Sequence, residues 1–335
     1  MVTSKDIARM AGVSQATVSR VIQGRSNVSN ETRKTVLKVL EETGYVANAQ
    51  ARAMRTQRTG TIGVITGRLT NPFYPELLDA LGHHITAQRY RMALWASDSE
   101  SGAEASVEAI RGQLVDGLIF TTATQESPAL GHAMDMGLPV LLVNRQIDGL
   151  KCDHVTNDNV EGGRLAARHF LSADFTDVAV IGGNELISTG RDRRLGFVSE
   201  FEKHGLHIPA DWQPECDFLH DAAREAARKL LTADQPPRAI FCVNDFLAFG
   251  AIDAAKSLSI RIPEDLWVIG YDDISMAAWE VFDLTTLRQR VDDMAASAVE
   301  MLAARIVDPS RVYEHRKFGA ELVVRGSTAR HNATS

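Results

Sequence analysis

The chain has few cysteines, no long apolar run and none of the short signatures of enzyme chemistry. Only Cys152, Cys216 and Cys242 occur among 335 residues. They are odd in number, scattered and without metal-ligand spacing, which argues against a disulfide framework and against a zinc site. No stretch approaches the ~18 consecutive apolar residues of a membrane span. The opening MVTSKDIARM carries Lys5, Asp6 and Arg9 where a secretory signal would be apolar. There is no G-x-S-x-G elbow, no P-loop, no G-x-G-x-x-G and no H-E-x-x-H. The adjacent His83 and His84 point two ways from a helix and read as structural. The expectation is a cytoplasmic protein with reduced thiols, no metal, no cofactor and no catalytic site.

What is present is ordinary in bulk and uneven in distribution. Apolar residues make 44% and charged residues 24% of the chain, as in globular proteins, and the length predicts two or three domains. The net charge of −7 hides an asymmetry. Residues 1–60 hold ten Lys and Arg against four acids, a net +6, which leaves −13 for the rest. A basic module on an acidic body suits contact between the module and a polyanion.

Within that module, residues 5–11 predict a short helix with Ile7 and Ala8 inward. Gly12-Val13-Ser14 reads as a turn, and Ser14 can cap a second helix over 15–22 with Val18, Val21 and Ile22 at helical spacing. Ser29 can cap a third helix to about Thr43, where Gly44 supplies a left-handed stop. Val36, Leu40 and Tyr45 would close a three-helix core. Ala8, Gly12 and Val18 form the spacing of a helix-turn-helix: a small residue where the helices cross, glycine in the tight turn, and an apolar pin in the second helix.

Residues 45–60 form a linker in which Asn48 can cap a short helix and Ala49, Ala51 and Ala53 favour one. Two turns are too few to stand alone, so the segment is a candidate for folding on binding. From Thr61 onward, apolar strands alternate with amphipathic helices. TIGVIT, RMALWA, DGLIF, PVLLVN, VAVIGG, AIFCVN and LWVIGY each precede a helical segment. That alternation predicts βαβ units with parallel sheets, numerous enough for two doubly wound lobes. Ligands of such sheets bind beyond the carboxyl ends of the strands.

The chain resembles the LacI/GalR family of bacterial transcription regulators. The resemblance is carried, in order, by KDIARMAGVSQATVSRVIQG, VSNETRKTVLKVLEETGY, IGVIT with NPFY, VDGLIF, GLPVLLVNR, NDNVEGGRLAARHFL, STGRDRRLGF, AIFCVNDFLAFGAIDAAK, IPEDLWVIGYDDIS, LTTLRQ and ELVVRGST. It implies an α/β fold: a three-helix helix-turn-helix headpiece, and a two-lobed regulatory domain resembling periplasmic binding proteins, with doubly wound parallel sheets joined by three crossing strands. The headpiece would take residues 1–46, the hinge helix and linker 47–60, and the effector-binding and dimerisation domain 61–330. Its first lobe would span about 61–158 and 290–317, its second about 159–289 and 318–330.

The resemblance also implies residue roles. Double-stranded DNA, in the form of a pseudo-palindromic operator, is the expected partner, with the second helix in the major groove. Gln15, Ala16 and Arg20 match base-reading positions: Gln can pair with adenine, Ala can touch a thymine methyl and Arg can grip guanine. Ser14, Thr17, Ser19 and Gln23 suit phosphates. Asn48, Ala51 and Met54 belong to the hinge helix, where Met54 stands in place of the usual leucine wedge and Ala47 in place of a common proline. The effector cleft would be lined by Phe73, Asn144 and Arg145 from the first lobe, Asp158 at the crossover, and Arg193, Phe218, Asn244 and Asp272 from the second. The chain ends soon after ELVVRGST without a leucine heptad, so a homodimer is expected. The function implied is that of a DNA-binding regulator, a repressor, controlled by a small polar effector such as a sugar. The alternative is a corepressor-dependent regulator answering a non-sugar metabolite or an anionic ligand, because Arg145 and Arg193 favour an anion whereas Asp158 and Asp272 favour a neutral sugar.

Overall fold

The structure, a computed structural model of the chain, describes residues 2–22, 27–45, 58–96, 106–108, 110–112, 114–124 and 126–328. The chain divides into two compact units, Met1–Thr59 and Gly60–Ser335.

Local hydrogen-bonding chemistry fixes the helix ends of the first unit. In α1 (Ser4–Met10), the Thr3 hydroxyl accepts from the Asp6 N–H while the Asp6 carboxylate accepts from the Thr3 N–H at 3.1 Å. This reciprocal cap satisfies two donors that a helix start leaves unpaired. Gly12 turns the chain at φ +65°, a conformation that glycine adopts without penalty. Ser14 Oγ then accepts from the Thr17 N–H at 3.1 Å and starts α2 (Gln15–Ile22). Ser29 caps α3 (Asn30–Thr43) through the Thr32 N–H at 3.2 Å, and Gly44 ends it in the left-handed conformation. Ile7, Ala8, Val18, Val21 and Val36 are buried together, with Leu40 and Tyr45 packed partly against them. Ile22 differs from its expected place in that core. It occupies the last position of α2 and stays exposed, so Val18 and Val21 alone form the inward stripe.

The second unit holds two sheets. The first contains β1 (Thr61–Thr66), β2 (Arg91–Ala96), β3 (Gly117–Phe120), β4 (Val140–Val143), β5 (Asp153–Asn157) and β10 (His315–Phe318) in the order β10-β5-β4-β3-β1-β2, all parallel. The second contains β6 (Val178–Ile181), β7 (Ala239–Cys242), β8 (Trp267–Asp272), β9 (Thr285–Arg288) and β11 (Glu321–Val323) in the order β11-β9-β8-β7-β6. Only β11 runs antiparallel to its neighbour. Strands β3, β4, β6, β7 and β8 are buried along their whole length, as parallel strands covered on both faces must be.

Helices α4 (Phe73–Ala87), α5 (Pro128–Asp135) and α10 (Val291–Val307) accompany the first sheet. Helices α6 (Asn159–Leu171), α7 (Ser188–Lys203), α8 (His220–Leu231) and α9 (Asp245–Ser257) accompany the second. The chain passes between the sheets at 157–159, at 288–291 and at 318–321. Helices α6 and α7 touch backbone to backbone. A Cβ on Gly163 would overlap the Arg193 carbonyl, and one on Gly196 would overlap that of Val160. Among the described residues no helix is long and apolar enough to cross a membrane.

Candidate functional sites

On the headpiece, the inward stripe of α2 leaves the opposite face open. Ser14, Gln15, Ala16 and Arg20 are exposed, and Thr17 and Ser19 are half-exposed. Gln15 Nε2 donates to Ser4 Oγ at 2.6 Å, and Ser14 Oγ lies 2.9 Å from Thr17 Oγ1. Those short polar groups therefore brace the start of the helix. Arg20 makes no ion pair among the described residues. Gln23, Asn48, Ala51 and Met54 lie outside the described residues.

In the second unit, a cavity of about 410 Å³ is lined by residues that follow strands of both sheets. Its size falls within the ~300–1,000 Å³ range of small-molecule sites. Gly67 follows β1, Thr122 follows β3 and Asn144 follows β4, while Asn184 follows β6, Asn244 follows β7 and Asp272 ends β8. Helix starts converge on the same space. Phe73 opens α4, Thr189 sits in the first turn of α7, Leu219 precedes α8, and Asn244 caps α9 by accepting from the Leu247 N–H at 2.8 Å.

Arg193 is 3% exposed and held through its Nε and Nη1. Its Nε donates to Asn159 Oδ1 at 2.9 Å, and its Nη1 donates to the Val243 carbonyl at 2.7 Å and to Asp272 Oδ1 at 3.0 Å. Its guanidinium lies 3.6 Å from the centre of the Tyr271 ring. Arg194, by contrast, turns outward to Glu215 and Glu185. Asp272 also accepts from Gln289 Nε2 at 2.6 Å. Its φ of +121° is one that L-residues rarely adopt, and Asn144 is left-handed at +67°. Strained backbone of this kind concentrates where a side chain must be held in place for a ligand. Burial pushes the Asp272 carboxyl up to about 6, against the opposing pull of Arg193. Burial, then the charge of Asp272, pushes neighbouring Asp245 well above its ordinary range.

Arg145 is 6% exposed. It donates to the hydroxyls of Thr189 and Tyr74, the latter at 3.1 Å, and its buried Nε has no partner. Phe218 is half-buried and packs its ring edge against Gly183 and Gly190, where a Cβ would overlap it.

The structure thus brings together Phe73, Asn144, Arg145, Arg193, Phe218, Asn244 and Asp272 in one lining. Asp158, the remaining member of the expected set, lies outside that lining. Its Oδ1 caps α6 through the Glu161 N–H at 3.2 Å and its Oδ2 lies 3.9 Å from Lys317 Nζ, so the carboxylate is committed to the crossover. Tyr74 and Thr189 line the cavity without having been singled out, and Gln289 holds Asp272 from behind. Tyr74 adjoins Phe73, and Thr189 sits one turn before Arg193, so both carried a local signal. Gln289 carried none. Among the described residues no cluster of His, Cys, Asp and Glu could hold a metal ion.

Comparison with known proteins gives concordant findings. Residues 3–48 match the family described as bacterial regulatory proteins, lacI family, and residues 167–328 match a periplasmic binding protein-like domain. The HTH-type transcriptional repressor PurR of Pasteurella multocida (strain Pm70) is 34% identical over 336 residues, covering 98% of each chain. The structure of the transcriptional regulator CelR–cellobiose complex superposes with a TM-score of 0.76 at 26% identity, over 98% of this chain and 100% of that one. A LacI family transcriptional regulator from Enterococcus faecium with bound ribose gives 0.72 at 28% identity, over 80% of this chain and 98% of that one.

Proposed function

The chain belongs to the lacI family of bacterial regulatory proteins, and from that premise we propose that it is a sequence-specific repressor whose affinity for operator DNA is set by a small polar effector. The reading rests on one observation above all: a single chain carries both a helix-turn-helix with an open second-helix face and a body with a polar cavity at the strand ends of two sheets. Gln15, Ala16 and Arg20 read base edges, while Ser14, Thr17, Ser19 and Gln23 fix the register on phosphates. Asn48, Ala51 and Met54 add hinge contacts. Phe73, Asn144, Arg145, Arg193, Phe218, Asn244 and Asp272 hold the effector. Relatives solved with cellobiose and with ribose support a hydroxyl-rich ligand. The protein acts in the cytoplasm as a homodimer on a pseudo-palindromic site and catalyses no reaction.

Selection from random double-stranded DNA with the full chain tests this. The expected product is one motif with two inverted half-sites, bound by a species that sediments as a dimer. Recovery of no motif would overturn the reading, and a tetramer at micromolar concentration would overturn the assembly.

A further inference from the structure

We propose that the effector is an organic anion, a hydroxylated carboxylate or phosphate, whose charged group is received by Arg145, Thr189 and the start of α7 (Ser188–Lys203). The inference rests on the regulatory reading above and specifies the ligand of the same cavity.

The charges of the lining point that way. Arg193 and Asp272 neutralise each other at 3.0 Å. Asp158, which would have tipped the site toward neutral polyols, lies outside the lining. Arg68 and Asp217, both exposed, carry opposite signs. That leaves Arg145, which is buried; its own hydrogen bonds go to two neutral hydroxyls, those of Thr189 and Tyr74, and the Asp272 charge it also acts on is already paired with Arg193. A buried guanidinium has five N–H donors and no ordinary way to lose its charge. A carboxylate or phosphate supplies the two-pronged acceptor that its fork fits. The unpartnered Nε of Arg145 is a donor of that fork still to be satisfied.

The start of α7 adds a second, independent attraction. Its N-cap residue is Ile187, with no side-chain cap, and Ile187 and Thr189 both line the cavity. A 16-residue helix presents unpaired N–H groups and partial positive charge at this end. Phosphates and carboxylates bind at such helix starts. Helix α6 lacks that vacancy because Asp158 fills it, and α9 because Asn244 does. The anion is therefore received at α7, while the hydroxylated end of the ligand reaches Asn244 and Asp272 across the cavity.

The test uses the full-length protein and matched ligands: D-glucose, D-gluconate, D-glucuronate, D-galacturonate and D-glucose 6-phosphate, each titrated to 10 mM by calorimetry and thermal shift. At least one anion is expected to bind ten-fold or more tightly than the neutral sugar. Arg145→Gln should remove that advantage, and Arg145→Lys should retain part of it. Gluconate or a uronate winning identifies a carboxylate effector, and the phosphate ester winning a phosphorylated one. Tighter binding of glucose, or no binding by any of the anions, overturns the inference. Selection of an operator motif by the wild-type protein without added ligand tests the regulatory reading separately, so this inference can fail while that reading stands.

Discussion

In the headpiece, Gln15, Ala16 and Arg20 stand exposed on a helix held by Val18 and Val21 on its other side. In the body, Arg193 is 3% exposed, and its Nε and Nη1 are held by Asn159, Val243 and Asp272 before any ligand arrives. The difference follows from the size of the partner. A DNA groove surrounds its reader, so reading residues can remain solvated and contribute little to the core. A small ligand has few atoms, so its receptors must be positioned in advance, and that positioning becomes part of the core. Residues that read DNA should therefore separate function from stability, and residues that hold the effector should not.

The largest expected effect tests the second half of that contrast. Arg193→Leu leaves Asp272 as an uncompensated buried carboxylate and deprives Asn159 of its partner. Breaking one side of a buried pair costs about 3–5 kcal/mol. Urea denaturation should show the body unfolding earlier while the headpiece transition stays in place. An unchanged body would mean that the cavity network is independent of the core.

The next effect is a pH dependence. Burial holds Asp272 at about 6, above the usual 3.8 of an aspartate. The folded state therefore binds this proton more readily than the unfolded chain does. The stability so contributed is complete below about pH 4 and is lost as the pH rises through about 6. It amounts to roughly 3 kcal/mol. Asp245 is raised by burial in the same direction and steepens the trend. Asp272→Asn cannot ionise and should flatten it. Stability curves for wild type and variant that run parallel between pH 4 and 7 would count against this assignment.

The same contrast governs how much the sequence discloses. Helices α1 to α3 were legible because their signals are local: Ser14 and Ser29 cap, Gly12 and Gly44 turn, and Val18 and Val21 stand at helical spacing. The apolar strands β1, β3, β4 and β6 to β8 were legible for the same reason. Strands β5, with the sequence DHVTN, and β10, with HRKF, do not look like strands. Asp153 is polar at a buried strand position because Arg305, 152 residues away, reaches it with Nε and Nη2. No window of sequence contains that pair. The cavity shows the same limit. Arg193 and Asp272 could be named from motifs, but their mutual hydrogen bond and the support of Gln289 arise only when β8, β9 and α7 assemble. Asp158 shows the same ambiguity: the residue after a strand can serve the cavity or the next helix start, and its Oδ1 caps the helix.

A smaller effect sharpens the first half of the contrast. Val18 is fully buried, one of five buried apolar side chains in the headpiece cluster. Val18→Ala removes two methyl groups from a core with little else in it and should cost about 2 kcal/mol. The headpiece transition should shift while effector binding in the body is untouched. Loss of DNA binding in this variant should be rescued by lowering the temperature, because the reading face itself is intact. Failure of that rescue would place Val18 at the DNA surface rather than beneath it.

The smallest effect on the fold is expected at Arg20. It is exposed, and it makes no ion pair among the described residues. Its neighbours Val18 and Val21 supply the burial that holds α2 in place. Arg20→Ala should therefore change stability by no more than about 0.5 kcal/mol, the usual range for a surface site. Its effect on DNA should be larger, about 1–3 kcal/mol, because a bidentate arginine–guanine contact discriminates by that much. The loss should fall on one position of each half-site, so the selected motif relaxes there and stays sharp elsewhere. Thr17→Ala supplies the control. Thr17 lies within hydrogen-bond distance of Ser14, and its proposed role is a phosphate contact, so its loss should weaken all sequences alike. If Arg20→Ala returned the wild-type motif with uniformly weaker binding, Arg20 would be a phosphate contact, and base reading would have to be sought at Gln15 and Ala16.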